Sequence, residues 1–407
     1  MPKSTLITHA RIVDPDLNLV GSEQDIEIEG GRISRIGEIA EWDRMEIDAS
    51  GCYVCPGLID AHVHLFLDAG AQPGSTFLSA GGEELLETAA VNLRVALSAG
   101  ITTVRDCGGP AELVFRIRRA VECGDLPGPR VLAAGAPITR PKGHCHFFGI
   151  EVTTPQEAAR AVDKQARAGA TFIKLMASGG GLTPRTRPEE ADLPVEIMRA
   201  IVGAAHANGL QAAAHCHAVE SIGRAVDAGV DTIEHASFTG PSGMPQFDKE
   251  IAARIKDNGI VVCPTAISGV RIAEAIRASG TGNGIARLEA RRDHLVKFCE
   301  AGVSLIAGTD CGVTNTPFHS LPEELDEYVR AGFSGADALA AATSASGRYL
   351  GRGDLGQIKA GFSADLLLLS GNPLEDLRHL RNPVLVMKQG EILHVRRTAP
   401  SGVFAGR

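Results

Sequence analysis

The 407-residue chain lacks several features that would place it in other classes. It has no long basic run, and its 40 Lys and Arg are outnumbered by 49 Asp and Glu. A phosphate-binding surface for nucleic acid is therefore not expected. No apolar stretch reaches the ~20 residues that a membrane-spanning helix needs. The opening Met1-Pro-Lys-Ser-Thr-Leu-Ile-Thr-His9 also lacks the hydrophobic core of a signal peptide. Neither membrane attachment nor export is expected, and the predicted compartment is the cytoplasm. Aromatic residues are scarce; alanine and glycine are plentiful and suit close helix–strand packing. The nine cysteines follow no disulfide framework, which fits reduced thiols. Cys52 and Cys55 form a C-x-x-C pair, but no second pair completes a four-sulfur zinc site, and the stretch reads as a strand.

What is present is an ordered alternation. The first 55 residues read as strands and turns, with a hairpin between Asp25 and Gly37 around Gly30-Gly31. The C-terminal segment repeats this style from Ala364 to Ser370, Val384 to Lys388 and Glu391 to Val395. Neither end alone has enough strands to bury a sheet face. Residues 1–55 and 351–407 are therefore expected to pair into one small β-sandwich. Between them, residues 56–350 alternate apolar strand-like runs with amphipathic helices, several closed by a glycine stop. Runs ending near His62, Asp106, Ala134, Met176, His215, His235, Pro264 and Gly308 predict the strands of a (β/α)8 TIM barrel.

Polar residues gather at the ends of these runs. His62 and His64 are two positions apart on one strand, so both imidazoles face the same side. Lys174 ends the fourth run in otherwise apolar surroundings. An ammonium has only donors and cannot bind a metal; reacted with carbon dioxide, its amine becomes a carbamate that can bridge two. His215 and His235 end the fifth and sixth runs and would hold a second metal. Asp310 ends the eighth, where it could bind the first metal and accept a proton from water. Each residue alone could be an ordinary polar group. Together, at the ends of separate strands, they predict a site for two divalent metal ions, with zinc the default for these ligands.

With these residues the chain resembles the amidohydrolase superfamily, in particular its imidazolonepropionase-like and prolidase-type dipeptidase branch. Pro56-Gly-Leu-Ile-Asp-Ala-His-Val-His64, Gly100-Ile-Thr-Thr-Val-Arg-Asp106, and Gly361-Phe-Ser-Ala-Asp-Leu366 with Asn372-Pro-Leu374 carry the resemblance over nearly the whole length. It implies His62, His64 and Asp310 on the more buried metal, His215 and His235 on the other, and carbamylated Lys174 between them. Asp310 would be the general acid/base for a metal-activated hydroxide that attacks an amide carbonyl of a small N-acyl, peptide-like or anilide/urea substrate. Dipeptidase members often place a tyrosine two residues after the strand-five histidine. Here that position is His217, a substrate contact or a hydrogen-bonding neighbour of the ligands.

Further candidates lie on loops at the same rim, where such barrels carry their chemistry. His144, in the segment from Ile138 to Gly149, is expected to polarise the scissile carbonyl or bind a substrate anion, whereas His146 is expected to be structural. Arg185 and Arg187 could clamp a carboxylate or lie on a solvated loop. Phe66 to Ala80 is expected to form part of a lid. A mononuclear cyclic-amide hydrolase or deaminase is the rival enzyme reading, and Lys174 argues against it, since one metal needs no bridge. The non-enzyme alternative is a barrel serving as an assembly scaffold. The expected partners are a small-molecule amide and further copies of the chain, as a homo-oligomer.

Overall fold

The alternation in the sequence resolves into one mixed sheet built from both ends of the chain and two parallel sheets between them. The computed structural model describes residues 4–17, 19–40, 45–280 and 284–396. The N-terminal strands are β1 (Thr5–Asp14), β2 (Leu19–Glu29), β3 (Arg32–Gly37), β4 (Met45–Asp48) and β5 (Tyr53–Pro56). β1 pairs antiparallel with β2 and parallel with β4 and β5. The expected β2–β3 hairpin turns at Gly30 and Gly31, both with positive φ, as a tight two-residue turn requires.

The central strands are β6 (Leu58–Val63), β7 (Ile101–Asp106), β8 (Arg130–Ala133), β9 (Ile138–Thr139), β10 (Ile150–Glu151), β11 (Phe172–Met176), β12 (Gln211–Ala218), β13 (Thr232–Thr239) and β14 (Val261–Cys263). They form two sheets, β6-β7-β8 and β10-β9-β11-β12-β13-β14, with every pairing parallel. β6, β7 and β11 are buried at every position, the pattern of parallel strands covered on both faces. The two sheets come together between the end of β8 and the start of β11, where Thr171 N–H donates to Ala133 O at 2.8 Å.

The expected eighth strand, Val303 to Gly308, is not a regular strand. It contributes single parallel bridges, Leu305 to Val262 and, a little further on, Cys311 to Val63. Ile306 N–H donates to Val262 O at 3.0 Å, Ala61 N–H to Ala307 O at 2.9 Å, and Asp310 N–H to His62 O at 2.8 Å. The segment is squeezed between β14 and β6. A Cβ at Gly308 would lie 2.5 Å from Cys263 Sγ and 2.8 Å from His62 N, so the close approach needs glycine.

The helices follow their sequence signals. Pro155–Ala168 starts with Thr154 Oγ1 accepting from Glu157 N–H and ends at Gly169 with φ +105. The sequence also predicts helix over residues 272–300 with a Gly-rich break; the structure has two helices, Ala266–Ala278, which begins earlier than expected, and Gly284–Ala301. The Gly-rich break at residues 281–283 lies outside the described residues. Short helices at Gly335–Ala341 and Ser344–Tyr349 were not expected from the sequence.

The C-terminal strands β15 (Leu366–Leu369), β16 (Leu385–Lys388) and β17 (Glu391–Val395) join β5, completing an eight-stranded sheet from both ends of the chain. The period of two along β15 links two cores. Leu366 and Leu368 pack with Ile7, Ile12 and Ile26, whereas Leu367 and Leu369 pack against the main core. β5 also contains Cys55, with Cys52 just before the strand, and both are buried free thiols.

Candidate functional site

The parallel strands deliver their polar ends to one place. His62 lies in β6 and His64 just beyond it, Lys174 in β11, His215 in β12 and His235 in β13. Asp310 follows the bridged eighth segment. Asp310 Oδ1 is 3.4 Å from both His62 Nε2 and His64 Nε2. The His62 and His235 rings are 5.0 Å apart, and the His215 and His235 rings 4.6 Å. Among the described residues three donor groups result, in each of which the ligand-type atoms lie within 4.8 Å of one another: His62, His64 and Asp310; His215, His217 and His235; and His62, Glu234 and Cys263.

Each imidazole uses one nitrogen to hold its orientation. His62 Nδ1 pairs with Glu234 Oε2 at 2.7 Å, and His64 Nδ1 with Gly108 O at 2.9 Å. His235 Nδ1 meets Thr265 Oγ1 at 2.7 Å, and His215 Nε2 meets Gly179 O at 3.2 Å. The opposite nitrogens are thereby directed away from these anchors, the usual arrangement around a ligated metal. His62 Nε2 and Lys174 Nζ are buried with no hydrogen-bond partner among the described residues. A buried, unpaired ammonium costs several kcal/mol. A metal at His62 and a carbamate at Lys174 would relieve both deficits, so the donor set fits the expected ions.

For His62, His215 and His235 the electrostatics agree with neutral ligands; at His64 burial is outweighed by the contact with Asp310, which raises that imidazole above its ordinary value. Burial, reinforced by the Lys174 charge, pushes His62 down to about 4 despite Glu234 and Asp310. Burial and then the neighbouring imidazoles hold His215 and His235 well below the usual histidine range. Metal binding requires imidazoles without their second proton. Burial works against ionised Asp310, but His64 and His62 outweigh it and lower its carboxyl. The backbone is strained here as well. Non-glycine residues His235, Asp310 and Thr265 have φ of +67, +59 and +47, each costing about 1–3 kcal/mol.

Several supporting residues escaped the sequence reading. Glu234 is wholly buried between His62 and Arg105, whose Nη1 lies 3.0 Å from Glu234 Oε1. Arg105 also lies over the Phe172 ring at 4.1 Å. Asp60 accepts from Thr309 N–H, Thr309 Oγ1 and His62 N–H, tying the eighth segment to β6. Asp106 accepts from Leu65 N–H, next to His64, and from Gly108 N–H, whose own carbonyl holds His64. The available signal was a charged residue on a strand: Arg105 sits within the Gly100–Asp106 motif, and Glu234 immediately precedes His235.

A cavity of about 420 Å3 opens over the cluster, floored by His64, Lys174, His215, His235 and Asp310. His144 lines it, with its ring 4.7 Å from that of His215, and burial pushes it down to about 3. Ala71 to Ser75 form part of the wall, within the segment expected to act as a lid. His217 also lines the cavity. Its Nδ1 meets Ser237 Oγ at 2.8 Å, and its ring stacks on His235 at 4.7 Å with only 20° between the planes. Near-parallel rings direct their in-plane lone pairs past each other, so His217 stands beside the His215–His235 pair rather than completing it. Arg185 and Arg187 are exposed and do not line the cavity; Arg187 pairs with Glu190 at 2.6 Å instead. His146 is also outside it, 3.5 Å from Glu151. Arg291, which the sequence reading did not single out, lines the wall.

Comparison with known proteins gives the same picture. The pattern of the amidohydrolase family matches residues 53–393. Ochratoxinase of Aspergillus niger is 29% identical over 373 residues, covering 81% of this chain and 73% of its own. The crystal structure of a Xaa-Pro dipeptidase with methionine bound in its active site superposes with a TM-score of 0.84 at 30% identity, over 96% of this chain and 99% of the other. A prolidase complexed with N-methylphosphonate-L-proline gives a TM-score of 0.85 at 27% identity, over 97% and 100%.

Proposed function

The chain belongs to the amidohydrolase family, and from that premise we propose that it is a binuclear metal-dependent hydrolase cleaving the amide bond of a small N-acyl, peptide-like or anilide/urea compound. It is an enzyme acting on carbon–nitrogen bonds. We read residues 56–350 as a (β/α)8 barrel, supported by the hydrogen bonds of residues 304–311 to strands on both sides. The terminal sheet is read as its small β-sandwich. The observation that carries the chemistry is Lys174 Nζ, buried without a partner beside the histidine cluster.

In this reading His62, His64 and Asp310 would hold one divalent ion and His215 and His235 the other, with carbamylated Lys174 supplying further oxygen ligands and zinc the default metal. When bound, such ions supply Lewis acidity and lower the pKa of a coordinated water toward neutrality. Asp310 accepts the proton of the attacking water and returns it to the departing amine nitrogen. Neutral His144, across the cavity, donates a hydrogen bond to the carbonyl oxygen as charge develops there. Glu234 keeps His62 in the tautomer whose Nε2 is the donor. Among the described residues no helix is long and apolar enough to cross a membrane, and we place the enzyme in the cytoplasm, as a homo-oligomer acting on a small molecule.

Metal analysis and a substrate screen test the proposal together. Purified, metal-supplemented protein should contain close to two ions per chain and hydrolyse members of a panel of N-acyl amino acids, dipeptides, anilides and cyclic ureas. One ion per chain, with turnover confined to cyclic ureas, would favour the mononuclear reading. Failure to cleave any C–N bond would overturn both.

A further inference from the structure

Arg291 belongs to the helix Gly284–Ala301 rather than to a strand end, yet it reaches the cavity over the metal cluster. Histidines aside, the other charged residues among the described lining are Lys174 and Asp310. Arg291 also lines a second cavity of about 160 Å3, and the two share Gly181, His217, Ile272 and Arg291. Its side chain thus stands at the neck between them. The smaller space is walled largely by Pro188, Pro245, Ile272 and Ala273, with Ser237 and Thr239 at its polar edge.

The contacts that seat the guanidinium include the following. Nη1 donates to Pro264 O at 3.2 Å. The group also lies against Gly269, where a Cβ would fall 2.5 Å from both Cζ and Nε of Arg291. Any side chain at 269 would occupy the volume the arginine uses. Position 269 is in a regular helix, where glycine is less favourable than alanine. The seat therefore has a local cost, as expected when the position of the arginine matters.

A guanidinium is a planar fork of donors that matches a carboxylate. We propose that Arg291, seated on Gly269, is the specificity-determining anion anchor of this site, so that the substrate is an amide bearing a carboxylate near the scissile bond and the smaller cavity takes the group beside that carboxylate. The inference rests on the hydrolase reading above. It narrows the substrate class to N-acyl amino acids and peptide-like acids, ahead of uncharged anilides and ureas.

The test uses matched pairs on the metal-loaded enzyme. N-acetyl amino acids are compared with their C-terminal carboxamides by kcat/KM, and a free amino acid with its amide by calorimetric titration. The acid member should be favoured in both measurements. Arg291→Met should reduce the preference roughly 10–100-fold while leaving metal content and carboxamide turnover near their starting values. Gly269→Ala should do likewise by displacing the guanidinium without removing its charge. Equal treatment of acid and amide by the starting enzyme, or a uniform loss on both members in the variants, would overturn the proposal. If nothing in the panel is cleaved, the hydrolase reading fails. The titrations still decide the anchor: acid-selective binding lost in Arg291→Met supports it, and equal binding refutes it.

Discussion

Glu234 Oε2 lies 2.7 Å from His62 Nδ1, although the two residues are 172 positions apart in sequence and neither is solvent-accessible. The other carboxylate oxygen meets Arg105 at 3.0 Å and Thr232 Oγ1 at 2.9 Å. Three strands are thus tied together beneath the histidine cluster. Burial alone would raise the Glu234 carboxyl, but Arg105 and His62 outweigh it and lower the pKa, keeping the group ionised. An anionic partner makes the His62 ring a better donor and fixes its direction.

Replacing Glu234 therefore separates two effects. Glu234→Gln keeps the shape and removes the charge. Metal affinity, measured by competition with a chelator, should fall about 10–100-fold. Glu234→Ala should in addition leave Arg105 charged and unpaired in the interior, costing about 3–5 kcal/mol in denaturant unfolding. Unchanged affinity in both variants would show that Glu234 has no hold over His62.

Lys174 should make metal loading depend on carbon dioxide. Enzyme stripped of metal and reconstituted in bicarbonate-free buffer should bind less metal than enzyme reconstituted with bicarbonate. Lys174→Ala should lose activity and lose the bicarbonate effect, while its circular dichroism spectrum stays that of the parent. A bicarbonate response that survives in the variant would exclude Lys174 as the modified amine.

The ligand-type residues were legible because each ends an apolar run, and a polar residue at the end of a buried strand is conspicuous. His62 and His64 were further marked by their spacing of two. The longer parallel strands were legible as continuous apolar runs; the two-residue β9 and β10 were not, and the eighth is irregular because Gly308 and left-handed Asp310 let it pass between β14 and β6 with single bridges. Less legible were groups whose importance arises only from contact across the fold. Arg291 sits in a helix with many charged residues, and nothing local distinguishes it from Arg292, which turns the other way to pair with Glu327. Arg185 and Arg187 had the appropriate chemistry and loop, but the backbone points them to solvent.

His144 offers a test that leaves the metals alone. Its ring, pushed down to about 3 by burial, is neutral throughout the working range of an enzyme near neutral pH. His144→Asn should lower kcat about 100–1000-fold, the effect of removing one donor from a developing oxyanion, with metal content unchanged. Because the neutral ring donates, the ratio of parent to variant activity should stay constant between pH 6 and pH 9. A ratio that rises toward low pH would assign the ring a proton-transfer role instead.

Glu324 provides a pH-dependent link between the metal cluster and stability. Its two carboxylate oxygens accept from Ala266 N–H at 2.9 Å and Ile267 N–H at 2.6 Å, holding the start of the helix Ala266–Ala278. Thr265, which anchors His235, immediately precedes that helix. Burial pushes the Glu324 carboxyl up to about 8, against the pull of those two backbone donors. In the unfolded chain it would ionise near its ordinary value of 4.5. Between these values the folded protein holds the proton more tightly, so this group's contribution to stability falls as pH rises from 4.5 toward 8 and is flat above. Glu324→Gln cannot ionise and should remove that slope. Compared by chemical denaturation across this range, the variant should gain on the parent as pH rises. A difference that stays constant with pH would mean that Glu324 is ionised in the fold and that its two backbone donors outweigh its burial.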